Sequence, residues 1–170
     1  MIRGADRQRA RVYAWEDTVV TASERSVIPF ALTQGIVDAI WSELGLLYSP
    51  KVERLPSQAR RLQADGSRLR LRFPEITPSW LLLHELAHAL SSAADGTSDG
   101  HGPDFMGLYI QLLARYLRLP AAGLIRSAVD AGIAVHPDAR PLFVDPPAVG
   151  LPSKGRGAAG GTSLDAVPRR

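Results

Sequence analysis

Apolar side chains recur every three or four residues in five stretches of the chain, which is the spacing of one buried helix face. Thr33 and Thr77 are the expected caps of the second and third helices. Pro78 and Pro103 stand at the expected first positions of the third and fourth. The first stretch could also end as a strand, because it finishes in Val and Thr. The predicted helices cover 6–21, 33–44, about 78–92, about 103–117 and 121–131.

The pattern changes between the second and third helices, where polar and apolar positions alternate. It predicts a strand at 51–55 and a hairpin formed by 61–64 and 68–73 around an Asp65-Gly66 turn. The earlier segment 22–32, which contains Pro29, is expected to be a loop.

Within the strand 68–73, two sets of side chains are predicted to alternate between opposite faces. One face is expected to pack on the core and the other to be solvated, or else to border a substrate groove. The core set is Leu69, Leu71 and Phe73, and the second set is Arg68, Arg70 and Arg72.

Length and composition predict one globular domain at 1–150, followed by a disordered tail at 151–170 that is rich in Gly and Pro. No apolar run approaches the ~20 residues that cross a bilayer, and no apolar signal core follows Met1. We therefore expect a cytoplasmic protein with no membrane partner. The chain contains no cysteine, which excludes disulfides, cysteine-bound zinc and thiol catalysis.

The net charge is +3 and almost all the basic residues are arginines. Arginine pairs well with phosphate, so one interpretation is a surface that binds nucleic acid. The other interpretation is a compositional bias of a GC-rich genome, because a charge of +3 is small. Both remain open from the sequence.

The most informative motif is His84-Glu85-Leu86-Ala87-His88. Histidines four residues apart lie on one face of a helix, so both imidazoles can bind one zinc ion at roughly 2.0–2.1 Å. Glu85 is then the candidate base that activates a zinc-bound water. The surrounding residues are apolar nearly all round, and buried polar groups need partners. A metal ion would supply them; the alternative is a core cluster satisfied by other side chains.

A catalytic zinc usually has a third protein ligand, and the sequence restricts the choice. No glutamate follows Glu85, and the glycine and histidine of the longer HExxHxxGxxH motif are absent. His101 is the strongest candidate, because the twelve residues 89–100 allow the chain to finish the helix and return. Asp99 or Asp104 is the reserve candidate, or else a hydrogen-bond partner of a ligand imidazole.

These residues together resemble the SprT-like zincins, in which HExxH is followed by a third histidine in an HGxxF or HGxxW context. Here that context is His101-Gly102-Pro103-Asp104-Phe105. The composition is also similar to HExxH metallohydrolases of actinobacteria and their phages. The resemblance implies an α+β zincin-like fold with a small antiparallel sheet beside the metal helix. It implies His84, His88 and His101 as zinc ligands and Glu85 as catalytic base.

The leading functional hypothesis is a zinc-dependent peptidase that acts on a protein or peptide. A nucleic-acid-associated module and a purely structural metal site are the alternatives. The cysteine-rich ribbon that many SprT-like proteins carry is absent from this chain. A peptidase also needs a second donor to the oxyanion. The candidates are Tyr109, Tyr116, Arg126 and His136.

Overall fold

The computed structural model describes residues 6–56, 64–93 and 95–142. The predicted tail, the end of the predicted domain and most of the predicted strand 61–64 lie outside the described residues. Within them the protein is a mixed α+β structure with two small sheets. No helix in these three ranges is long and apolar enough to cross a membrane.

Helices form in all five stretches where the apolar period predicted them. The first is interrupted, because a π-helical segment, Glu16–Val20, separates α1 from α2. Thr33 is not a cap: α3 begins three residues earlier, and the Thr33 hydroxyl donates to the carbonyl of Phe30 at 2.7 Å. The bounds are α1 Arg9–Trp15, α2 Thr21–Ser23, α3 Phe30–Glu43, α4 Ser79–Leu90, α5 Pro103–Tyr116 and α6 Ala121–Asp130.

The smaller sheet contains two strands that the sequence pattern did not predict as strands. β1, Val27–Pro29, pairs antiparallel with β5, Ile76–Pro78. The expected loop at 22–32 was therefore wrong for its second half. Thr77 and Pro78 were also wrong as the cap and first residue of α4, because both lie in β5. Strands this short are held by pairing with a distant segment, which local periodicity does not reveal.

The larger sheet has the order β2-β4-β3 and is mixed, whereas the smaller β1–β5 sheet, which leads into α4, is antiparallel. β2 pairs parallel with β4, and β3 pairs antiparallel with β4. Asp65-Gly66 was predicted to be the turn of the hairpin, and that prediction was wrong. The two residues form β3, and the chain reverses direction over the next three residues. The bounds are β2 Lys51–Arg54, β3 Asp65–Gly66 and β4 Arg70–Phe73.

The displaced turn also changes the predicted faces of β4. Leu71 and Phe73 are fully buried as expected, but Leu69 is 67% exposed and Arg68 only 3% exposed. Arg68 and Leu69 lie in the turn before β4, where side chains no longer alternate between the two faces of a strand. The Arg68 guanidinium lies 4.6 Å from the ring centre of Trp41 and donates to the carbonyl of Tyr48.

The predicted arginine face therefore does not form as one surface. Arg72 is paired with Asp65, and the Arg70 Nε lies 3.9 Å from a carboxylate oxygen of Glu53. Together with the burial of Arg68, these pairs leave little unbalanced positive charge on this strand for a phosphate backbone.

Helix α4 is the centre of the core. It packs against α5 and also contacts β3, β4 and β5, and most of its residues are buried. An apolar helix enclosed in this way can hold a polar group only where that group has partners.

Candidate metal centre

Two elements bring the three candidate histidines together. His84 and His88 lie one turn apart on α4, and His101 lies two residues before α5. Their candidate ligand nitrogens all lie within 4.8 Å of one another. The Nε2 atoms of His84 and His101 are 3.3 Å apart. Two nitrogens bound tetrahedrally to one zinc at roughly 2.0–2.1 Å are also separated by about 3.3 Å.

Carboxylates hold the outer sides of two of these rings. Glu16 Oε1 lies 2.6 Å from His84 Nδ1, and Asp6 Oδ2 lies 2.5 Å from His101 Nδ1. An ionised carboxylate at Nδ1, the form that a bound dication favours, keeps the ring proton on that nitrogen and leaves the Nε2 lone pair for the metal. The two Nε2 atoms face each other at 3.3 Å, a separation that one metal ion between them would span. The donor set therefore fits a metal ion.

The segment before α5 places His101 and explains why neither Asp99 nor Asp104 joins the ring cluster. Asp99 Oδ2 accepts the backbone N–H of Asp104 at 3.0 Å, which satisfies a free donor in the first turn of α5. Asp104 Oδ1 lies 2.7 Å from His136 Nδ1. Both reserve candidates therefore have structural roles here. Gly102 allows this arrangement, since a Cβ at that position would lie 2.3 Å from Asp99 Oδ2.

Phe105 forms an aromatic floor beneath the three imidazoles. Its ring centre lies 4.3 Å from that of His88, 4.9 Å from that of His101 and 5.0 Å from that of His84. The aromatic residue of the HGxxF context thus fixes the angles of all three candidate ligand rings.

Glu85 lies on α4, and its side chain is buried against β3. Only 6% of the residue is exposed, and a Cβ on Gly66 would lie 2.8 Å from Glu85 Oε2. A glycine at this position of β3 therefore leaves room for the carboxyl group. Burial, together with the charges of Asp65 and Glu16, raises the pKa of Glu85 to about 8.

The other buried groups of the site are shifted for the same reason. Burial raises the pKa of Glu16 to about 8, while a hydrogen bond from Tyr109 and the charge of His101 oppose the rise. Burial lowers the pKa of His84 to about 3 and that of His88 well below its ordinary value. All of these shifts favour the uncharged groups in the metal-free protein. A dication at the ring nitrogens would also keep the imidazoles neutral but would favour the ionised form of the carboxyl groups.

Three of the four predicted oxyanion donors make other contacts in the structure. Tyr109 is fully buried, with its hydroxyl 3.5 Å from the carbonyl of Trp80. The Tyr116 hydroxyl donates to Glu43 at 2.6 Å. His136 pairs with Asp104, as described above, and Arg126 lies on α6.

The N-terminal helix contributes side chains to the site that the sequence pattern did not predict. Tyr13 is 39% exposed, and its ring centre lies 5.1 Å from that of His101 in an edge-on arrangement. Arg9 Nε donates to the Tyr13 hydroxyl at 3.2 Å. Asp6, Arg9, Tyr13 and Glu16 are spaced three or four residues apart, which is the spacing of a second, polar face opposite Val12 and Trp15. That spacing was the signal available in the sequence.

The fold and the site together define an α+β protein with a buried three-histidine cluster that could hold a metal ion. No family model, curated protein or solved structure matches the chain.

Proposed function

We propose that the protein is a zinc-dependent hydrolase of the zincin type, and specifically a peptidase. The observation that carries the proposal is the facing pair of Nε2 atoms, 3.3 Å apart, on imidazoles whose other nitrogens contact carboxylates. His88 completes three protein ligands, which is the number of a catalytic zinc rather than of a closed structural site. Bound zinc would act as a Lewis acid and lower the pKa of a coordinated water to about 7.

Glu85 is the general base in this proposal. It would take a proton from the attacking water and return it to the leaving amine. A group that both accepts and returns a proton works best when its pKa is near the working pH. The burial of Glu85 raises its pKa towards that range. A structural zinc site would have no use for a buried carboxyl group next to a ligand histidine.

The position of β3 supports a peptide as the substrate. Among the described strands of the larger sheet, β3 is at the edge, and its Gly66 lies against Glu85. An extended peptide can add to such an edge through main-chain hydrogen bonds. This pairing would bring a substrate amide alongside the proposed base.

Tyr13 is the residue that we assign as the second donor to the oxyanion. It is the partly exposed hydroxyl beside His101, and Arg9 donates to it from the same helix. Arg9 also carries a positive charge close enough to lower the pKa of His84 and of His88. A phenol supported by this guanidinium can stabilise negative charge that develops on a carbonyl oxygen.

The test combines metal content with hydrolysis. We expect about one zinc per chain and cleavage of denatured casein, followed by mass spectrometry of the products. Glu85→Gln should abolish cleavage and keep the zinc. Glu53→Gln, which changes a half-buried carboxylate on β2, is the matched control and should cleave at the wild-type rate. Zinc-loaded protein that cleaves neither casein nor a diverse peptide mixture would refute the peptidase assignment.

A further inference from the structure

We propose that Glu16 and Asp6 are positioning residues of the metal centre and that zinc binding is coupled to docking of the N-terminal segment 6–20. The proposal rests on the metal site of the proposed function but not on its hydrolytic activity. Glu16 contacts His84 Nδ1 at 2.6 Å and Asp6 contacts His101 Nδ1 at 2.5 Å. The two carboxylates come from one segment and contact candidate ligands on two different elements.

Apart from the ring contacts of Tyr13, the rest of the segment is held by contacts that do not involve the imidazole rings. Gln8 donates to the carbonyl of His101 at 2.6 Å and accepts from the N–H of Ala134 at 3.0 Å. Arg11 donates to the carbonyl of Gly132, and Trp15 Nε1 donates to the Ser127 hydroxyl at 2.9 Å. The segment therefore has a defined docking surface, and its two carboxylates are the charged groups that contact the imidazoles.

Charge explains why docking and metal binding must favour each other. Glu16 is only 3% exposed, and a buried carboxylate without a nearby cation is strongly unfavourable. Zinc brings two positive charges, which the charges of Glu16 and Asp6 balance. Metal binding thus removes the cost of burying the carboxylates, while the docked carboxylates orient the rings and increase their affinity for the metal. Such coupling is reciprocal by linkage.

The first measurement is zinc affinity, by competition with a chromogenic chelator. We expect Glu16→Gln and Asp6→Asn each to weaken zinc binding by about 10- to 100-fold. Asp17→Asn is the matched control, since it removes an exposed carboxylate from the adjacent position and should leave the affinity unchanged. Urea unfolding in excess EDTA checks folding. Metal-free Glu16→Gln should be at least as stable as wild type, because it removes a buried ionisable group.

The second measurement is hydrogen exchange of the amides of 9–20, with and without zinc. Zinc should slow exchange in the wild-type protein by at least tenfold and have a much smaller effect in Glu16→Gln. Wild-type zinc affinity in both Glu16→Gln and Asp6→Asn would overturn the proposal. So would wild-type amide hydrogen exchange at 9–20 that is the same with and without zinc. Wild-type protein that shows the coupling but cleaves no peptide would refute the peptidase assignment and leave the coupling standing.

Discussion

Replacing Phe105 with leucine tests whether the aromatic floor serves the metal centre or only the core. Phe105 is fully buried, and its ring packs against those of His84, His88 and His101 at 4.3–5.0 Å and that of Tyr109 at 5.7 Å. Leucine keeps an apolar side chain at the position but removes the flat surface that fixes the ring angles.

The magnitude follows from the number and kind of these contacts. Aromatic pairs contribute roughly 0.5–1.5 kcal/mol each beyond area burial, and imperfect refilling of the site costs about 1 kcal/mol more. Because leucine recovers part of the dispersion energy, we expect a net loss of about 2 kcal/mol in the free energy of unfolding. We expect zinc affinity to fall by about tenfold as well, since the metal must then order three less constrained imidazoles.

The assay is urea unfolding in EDTA, followed by chelator competition for zinc on the folded variants. Phe73→Leu provides a matched control, because Phe73 is equally buried but lies on β4, with no ring contact to the histidines among the described residues. It should lose similar stability and keep wild-type zinc affinity. Equal zinc affinities for the two variants would refute the argument that Phe105 orients the ligands.

Three further outcomes follow from the structure. Tyr13→Phe should lower kcat for peptide cleavage by roughly 10²- to 10³-fold with little change in KM or zinc content. A variant with the wild-type kcat would refute the assignment of Tyr13 as an oxyanion donor. Gly107→Ala should cost about 1–3 kcal/mol by urea unfolding, because its Cβ would lie 1.8 Å from the carbonyl oxygen of His136. Gly35→Ala, on α3 with nothing within 4 Å, should be neutral or stabilising. The stability of the metal-free protein should be highest between about pH 4.5 and 6.5. These limits are the ordinary pKa values of the glutamates and the histidines whose pKa values are shifted in the folded protein. Glu16 and Glu85, whose pKa is raised to about 8, lose their contribution to folding stability as pH rises from 4.5 through 8. His84 and His88, whose pKa is lowered, lose their contribution to folding stability as pH falls below 6.5. Zinc should move the optimum upwards; a metal-free urea midpoint that keeps rising from pH 6.5 to 8 would contradict these shifts.

The sequence by itself determined the helices and the pair of histidines on α4. Both are local properties: an apolar period of three to four residues specifies a helix, and two histidines four apart on it must share a face. The elimination of glutamate ligands after Glu85 and the choice of His101 also needed only spacing and composition.

Only the tertiary structure decided what surrounds those histidines. Glu16 and Asp6 lie 68 and 95 positions from the imidazoles that they contact, and no period of the sequence encodes such a pairing. The same holds for β1 and β5, which are strands because distant backbone groups pair, and for Arg68, whose burial depends on where the hairpin turns. Local steric and hydrophobic patterns act over a few residues, whereas carboxylates, rings and sheet edges find their partners only when the chain has packed.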